Sequence, residues 1–137
     1  MMRSDKILKE FGNHIGVRNM IFDHQRSCSL MINKDNVIII NDIQDTSIMI
    51  SCIIGPVSKQ QISDSKTAME LLSMNMLFAA ENGPYVGYEP NSSALVLSVT
   101  NNHEEMSPLI MESQISYLLQ NKQHVTSTLA ERGINLI

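Results

Sequence analysis

The length and composition of this chain predict one soluble globular domain, over residues 1–137. With 43% hydrophobic and 18% charged residues, the chain can bury a core and is not of the disordered class. A net charge of −4, from 10 basic and 14 acidic side chains without a Lys or Arg cluster, argues against a nucleic-acid partner.

The chain shows no pattern for export or for membrane insertion. Residues 1–16 lack the apolar run and the small-residue cleavage site of a secretory signal, and no stretch approaches the roughly 20 apolar residues of a membrane span. We therefore expect a cytosolic protein that does not enter a membrane. Cys28 and Cys52 are then expected to be reduced thiols packed among apolar side chains, because reducing compartments disfavour disulfides.

The first predicted element is a short amphipathic helix. Ser4 is a suitable capping residue at its start, and Gly16 is well placed to end it in a left-handed conformation. Helical spacing places four apolar side chains on one face: Ile7, Leu8, Phe11 and Ile15.

Residues 19–54 change to strand-like patterns, and Gly55-Pro56 ends them. Met20 and Phe22 open the first predicted strand, and Leu30 and Ile32 alternate on one face of its continuation. Residues 37–40 are apolar without alternation, which predicts a central strand covered on both faces. A third strand is predicted over residues 46–54, and polar residues 57–64 follow as a linker.

Residues 65–82 predict a helix that is apolar nearly all round. One face carries Ala68, Met69, Leu72, Met76, Ala79 and Ala80, and the opposite face carries Leu71, Met74 and Phe78. Such a helix must be buried on both faces, and a chain of this length has few elements to cover it. The simplest cover is a second copy of the chain. The interpretation gives the Leu72 face to the helix's own subunit and the Leu71 face to the copy, although the pattern itself fits either arrangement.

The remaining elements are two or three strands and a long final helix. Strands are predicted over residues 85–88 and 94–100, and the last helix begins after Ser107 with Pro108 at its first position. Gly133 ends this helix and leaves residues 134–137 as an apolar tail of unassigned packing. The order α-β-β-β-α-β-β-α predicts an α+β fold, in which helices pack on a twisted antiparallel sheet.

No arrangement of residues predicts catalysis, a metal site or a cofactor. His14, His24, His103 and His124 lie far apart and none forms a helical metal-binding pair. Cys28 with His24 could form a thiolate pair, but a surface histidine and a packed thiol are the simpler interpretation. Two hypotheses stay open: a protein that holds another chain in extended form, and a small α+β enzyme or ligand-binding domain with a pocket between sheet and helix.

Several local patterns, in this order along the whole chain, resemble the class I type III secretion chaperones related to the Tir chaperone. They are the first helix ending in residues 14–17, the strand at 28–32, the apolar run at 37–40, Glu70-Leu71-Leu72 with Asn75, and Gly83 with residues 86–88 and 95–97. The order and spacing of these patterns are more specific than any one of them.

The resemblance implies a cytoplasmic bacterial homodimer without cofactor or enzymatic activity. Such a chaperone binds the N-terminal region of one or more secreted effectors and holds it extended and secretion-competent; docking to the secretion ATPase is a further property found in the family. The implied effector-binding residues are Ile7, Leu8, Phe11, Met20, Phe22, Leu30 and Ile32. The implied dimer residues are Leu71, Leu72, Met74, Phe78, Leu95 and Leu97.

Overall fold

A five-stranded antiparallel sheet organises the chain in a computed structural model that describes residues 2–136. The elements in chain order are α1 (Arg3–Ile15), β1 (Ser27–Ile32), β2 (Asn36–Ile43), β3 (Ser47–Pro56), α2 (Lys59–Ile62), α3 (Ser65–Ala80), β4 (Tyr85–Glu89), β5 (Ala94–Asn102), a short 3-10 turn (His103–Glu105) and α4 (Pro108–Glu131). The strands lie in the order β1-β2-β3-β5-β4. The predicted α+β class is therefore confirmed, and its element order holds apart from the short helix α2.

Helix α2 lies where the sequence predicts a polar linker. The side chain of Ser58 caps it by accepting a hydrogen bond from the backbone N–H of Gln61 at 3.0 Å. A single capped turn of this kind carries too few apolar residues for periodicity to reveal it.

One face of the sheet forms the core of the subunit. Cross-strand pairing aligns Ile38 with Cys52 and Ile40 with Ile50, and all four side chains are fully buried. Helix α4 covers this face with one apolar stripe: Met111, Ile115, Leu118, Val125 and Leu129. The prediction that residues 37–40 are covered on both faces is wrong, because Val37 and Ile39 point to the opposite face and are only half-buried.

The start of the chain differs from the prediction in two places. Helix α1 begins at Arg3, and Ser4 is not its cap, because the Ser4 N–H and hydroxyl both donate to Asp45 Oδ1, at 3.1 and 3.0 Å. Residues 20–22 form no strand, because left-handed backbone at Asn19 and Arg26 turns the chain on either side of them.

Both predicted helix ends and the final cap are confirmed. Gly16 and Gly133 have φ of +79° and +77°, and the Ser107 hydroxyl accepts a hydrogen bond from the Ile110 N–H at 3.2 Å. After α4, Ile134 is buried and Leu136 packs against Gly55, whereas the last residue of the predicted tail, Ile137, lies outside the described residues. Over residues 2–136, no helix has the length and apolar character needed to cross a membrane.

Candidate functional site

An apolar groove lies between α1, the edge strand β1 and α4. Its volume is about 450 Å³, and we call it the α1 groove. Its lining is mostly apolar, with polar groups among the lining residues: Phe11, Ile15, Val17, Leu30, Met31, Ile32, Asn33, Glu112, Ile115, Ser116 and Leu119.

Local sequence explains how the groove forms. Phe11 and Ile15 are one helical turn apart on α1, while Leu30 and Ile32 alternate on β1, so both elements present apolar side chains to the same space. His14 Nε2 and Glu112 Oε2 are in hydrogen-bond contact and tie α1 to α4. Strand β1 pairs only with β2 among the described strands, which leaves its outer edge beside the groove.

A second hollow, of about 710 Å³, lies between α1 and the segment after it. Five of its lining residues are polar and two are apolar: Asp5, Lys9, Asn13, Arg18, Asn19, Met20 and Ile21. Ile21 is strongly exposed, although the neighbouring Met20 and Phe22 are buried. Ile21 is therefore an exposed apolar residue near α1, in a hollow that shares no lining residue with the α1 groove.

The residues assigned to effector binding fall in four different places. Phe11, Leu30 and Ile32 line the α1 groove, and Met20 lines the second hollow. Ile7 lines a separate surface hollow of about 550 Å³ near His103. Leu8 and Phe22 are buried in the core of the subunit.

Three exposed apolar residues near α1 were not among the predicted site residues: Val17, Ile21 and Met31. Val17 follows the helix end at Gly16, and Met31 alternates out of phase with Leu30 and Ile32. Only the strand alternation of Met31 could have been recognised in advance, because exposure of a loop residue has no periodic pattern.

Helix α3 shows the reverse of the predicted assignment of faces. Leu71, Met74 and Phe78, which the interpretation gave to a second copy, are buried within the subunit. The exposed face is the opposite one, where relative exposure reaches 66% to 72%: Met69, Leu72, Met76 and Leu77. The reason is that α3 packs against β4 and presents only the Leu71 side to the sheet.

Two further dimer candidates lie in the core of the subunit. Leu95 and Leu97 are fully buried on β5, on the sheet face that pairs Leu97 with Cys52. A single subunit does not present them at its surface. Of the six residues assigned to the dimer, only Leu72 is exposed in a single chain.

The two cysteines have the properties of packed thiols. Burial raises the pKa of the Cys28 thiol, and the nearby Asp23 carboxylate raises it further. Burial also raises the pKa of Cys52, in spite of the opposing effect of Lys122. Both pKa shifts are opposite to what an activated thiolate needs, so the alternative of a Cys28–His24 thiolate pair finds no support.

Solved structures share this arrangement of sheet and helices. A chain of the HopA1-SchA chaperone-effector complex superposes with a TM-score of 0.74 at 14% identity, covering 90% of this chain and 92% of that one. A chain of the ExsC-ExsE complex gives 0.74 at 13% identity, covering 89% and 90% of the two chains. A chain from the structure of the Yersinia pestis type III secretion chaperone SycH with a stable fragment of YscM2 gives 0.66 at 14% identity, covering 88% and 97%. The fold is thus one found in type III secretion chaperones.

Sequence comparison identifies the family. The family model of the Tir chaperone protein (CesT) family matches residues 6–126, and the chain belongs to that family. The Tir chaperone of Escherichia coli O157:H7 is 29% identical over 134 residues, which cover 98% of this chain and 84% of the relative. The Tir chaperone of Citrobacter freundii is 28% identical over the same coverage. The resemblance found in the sequence is confirmed.

Proposed function

We propose that this protein is a cytoplasmic chaperone of a bacterial type III secretion system. It binds the N-terminal region of one or more secreted effectors and keeps that region extended and competent for secretion. Membership of the Tir chaperone family supports this proposal, as do the chaperone-effector complexes among its structural neighbours. The family and the packed thiols also support a binding function without catalysis.

The α1 groove is the observation that carries the proposal. It combines an apolar lining with the outer edge of β1, so that an extended peptide can bury side chains in the groove and form main-chain hydrogen bonds with the strand. Val17 and Met31 are exposed at the groove and can contact a bound chain without any change in the fold.

A homodimer is the second part of the proposal. The exposed face of α3 carries Met69, Leu72, Met76 and Leu77. An exposed helix face with several large apolar side chains is typical of a protein–protein interface. We therefore assign the dimer contact to this face and not to Leu71, Met74 and Phe78. Docking to a secretion ATPase stays a prediction.

Co-expression with effector fragments tests the proposed function. The chain is expressed with N-terminal fragments of proteins that the type III system of its source organism secretes, and the complex is isolated by size exclusion. We expect at least one fragment to stay bound, and Val17→Asp to reduce its capture at least about tenfold, because a charge in the groove must be desolvated. Phe11 is unsuitable for this test, because it is buried and its replacement disturbs folding.

Ile43→Asp is the matched control. Ile43 lies at the end of β2 outside the groove and is 37% exposed, against 38% for Val17. Ile43→Asp, the same change at nearly equal exposure, should leave capture of the effector fragment unchanged. Equal loss of capture in both variants, or none in Val17→Asp, would remove the groove from the binding site; failure of every fragment to bind would contradict the function itself.

A further inference from the structure

Three potential metal ligands meet where the β2–β3 turn approaches the 3-10 turn. Asp42, Asp45 and His103 each present a ligand atom, and these atoms lie within 4.8 Å of one another. The backbone holds them in place, because the His103 N–H donates to the Thr46 carbonyl at 3.0 Å and the Asp45 N–H donates to Asp42 Oδ1 at 3.0 Å.

His103 is the unusual member of this cluster. Its side chain is 5% exposed, and its buried Nε2 has no hydrogen-bond partner among the described residues. This nitrogen lies 3.9 Å from Asp42 Oδ1, which is too long for a hydrogen bond, and the other ring nitrogen, Nδ1, is the one nearer Asp45, at 4.0 Å from Oδ1. A buried imidazole nitrogen without a hydrogen-bond partner lowers the free energy of unfolding. A bound group between His103 and Asp42 would supply the missing partner.

The 3.9 Å gap suits a metal ion. A cation about 2.1 Å from both His103 Nε2 and Asp42 Oδ1 bridges the gap with a wide N–metal–O angle. This angle becomes tetrahedral if the two atoms approach each other by a few tenths of an ångström. The carboxylate oxygens of Asp42 and Asp45 also have lone pairs that no hydrogen bond uses. Asp42 Oδ2 accepts from Arg26 Nε at 2.9 Å and Asp42 Oδ1 accepts one bond, while both hydrogen bonds to Asp45 fall on Oδ1.

The local charge balance favours a divalent cation. Asp5, Asp42 and Asp45 bring three carboxylates, and the Arg26 guanidinium, bound to Asp5 and Asp42, neutralises one of them. With a neutral imidazole, two negative charges remain. At the rim of the adjoining hollow, of about 350 Å³, the exposed Arg3 and Glu104 offset each other, and this hollow gives solvent a route to Asp45 and His103.

We propose that Asp42, Asp45 and His103 form a binding site for a divalent cation of the zinc type. One imidazole and two carboxylates are ligands that zinc accepts, and water can complete the coordination from the hollow. The ion would join the β2–β3 turn to the 3-10 turn. The ion would also hold the start of α1 in place, because Ser4 is hydrogen-bonded to Asp45.

Calorimetric titration of zinc into the metal-free full chain tests the proposal. We expect one zinc per chain and a melting temperature raised by several degrees at saturation. His103→Gln should weaken binding at least about tenfold. The matched control is His124→Gln, because His124 is exposed on α4 far from the cluster in sequence, and it should bind zinc as the parent does. Cys28→Ser should also bind as the parent does.

Nuclear magnetic resonance of the histidine rings provides a test that does not depend on the folding of a variant. In the parent chain, zinc should shift the ring nitrogen signals of one of the 4 histidines, and His103→Gln should lack those signals. The proposal is overturned if zinc at 100 times the protein concentration leaves all ring signals in place, if His103→Gln binds unchanged, or if Cys28→Ser removes binding.

Discussion

The side-chain amide of Asn75 on α3 pairs with the backbone of Val86 on β4. Asn75 Oδ1 accepts from the Val86 N–H at 2.7 Å, and Asn75 Nδ2 donates to the Val86 carbonyl at 3.0 Å. Because β4 is an edge strand, these are groups that a neighbouring strand would otherwise bond. One edge of the sheet is thus partly closed by a helix. At the other edge, Ser27 at the start of β1 is bonded to Asp23, and no described helix forms such a pairing with the rest of the strand.

Asn75→Ala should lower the free energy of unfolding by about 1–3 kcal/mol, because it leaves two half-buried backbone groups of Val86 without partners. Urea denaturation measures this loss, and size exclusion should show more self-association through the exposed edge. Ser73→Ala, at an exposed position of the same helix, is the control and should change stability by less than about 0.5 kcal/mol. Equal stability of the two variants would mean that the Asn75 pairing contributes nothing.

Met76→Glu should dissociate the proposed dimer and leave each subunit folded, since Met76 is 72% exposed on α3. Light scattering gives the mass and circular dichroism gives the fold. Phe78→Glu should instead unfold the chain, because it buries a charge in the core. Ile21→Glu, an apolar residue of similar exposure near α1, should remain dimeric. A dimer that persists in Met76→Glu would place the interface elsewhere.

Gly12→Ala should destabilise the chain by about 1–3 kcal/mol, although alanine favours helices. A Cβ at Gly12 would lie 2.8 Å from the carbonyl oxygen of Val17 and 3.2 Å from the Met20 side chain. Asn13→Ala, at the exposed next position of α1, should be neutral or slightly stabilising. Thermal denaturation of both variants gives the comparison. A more stable Gly12→Ala would show that the loop after α1 moves away at little cost.

Stability should fall below about pH 4 in part because of Asp45. Its pKa is lowered mainly by the hydrogen bond from the Ser4 N–H, with a further contribution from the Ser4 hydroxyl. A carboxyl whose pKa is lower in the folded state contributes stability above its unfolded pKa of about 3.9, and this contribution is lost as the pH falls through the folded value.

Asp45→Asn should therefore flatten the pH dependence of the urea midpoint below about pH 4, with a chelator present. Asp35→Asn, in the exposed β1–β2 turn, is the control for removal of one carboxylate. An unchanged slope in Asp45→Asn would mean that the Ser4 contact does not persist in solution.

Features determined by neighbouring residues could be predicted from the sequence. The start of α4 at Ser107 and Pro108, the left-handed end at Gly16 and the alternation of Leu30 and Ile32 depend on local chemistry, and the structure confirms them. Ser4 shows the limit of such rules. It has the chemistry of a cap, but Asp45, 41 residues away, takes both of its donors.

Features that depend on distant contacts could not be predicted. Periodicity separates the two faces of α3, but both are apolar, so only the packing on β4 reveals that Leu71 faces inward and Leu72 outward. The candidate site has the same limit: the sequence indicated Phe11 and Leu30, but the exposure of Val17 depends on where the loop after α1 lies.

The position of α1 has a consequence for synthesis on the ribosome. This helix packs against α4 and the 3-10 turn, and its bond from His14 to Glu112 spans 98 residues of chain. During translation α1 is made before α4, so the cover of its apolar residues, such as Leu8 and Phe11, stays incomplete until α4 has emerged. A partly synthesised chain therefore exposes apolar surface of α1, which is prone to aggregation, until α4 can pack against it.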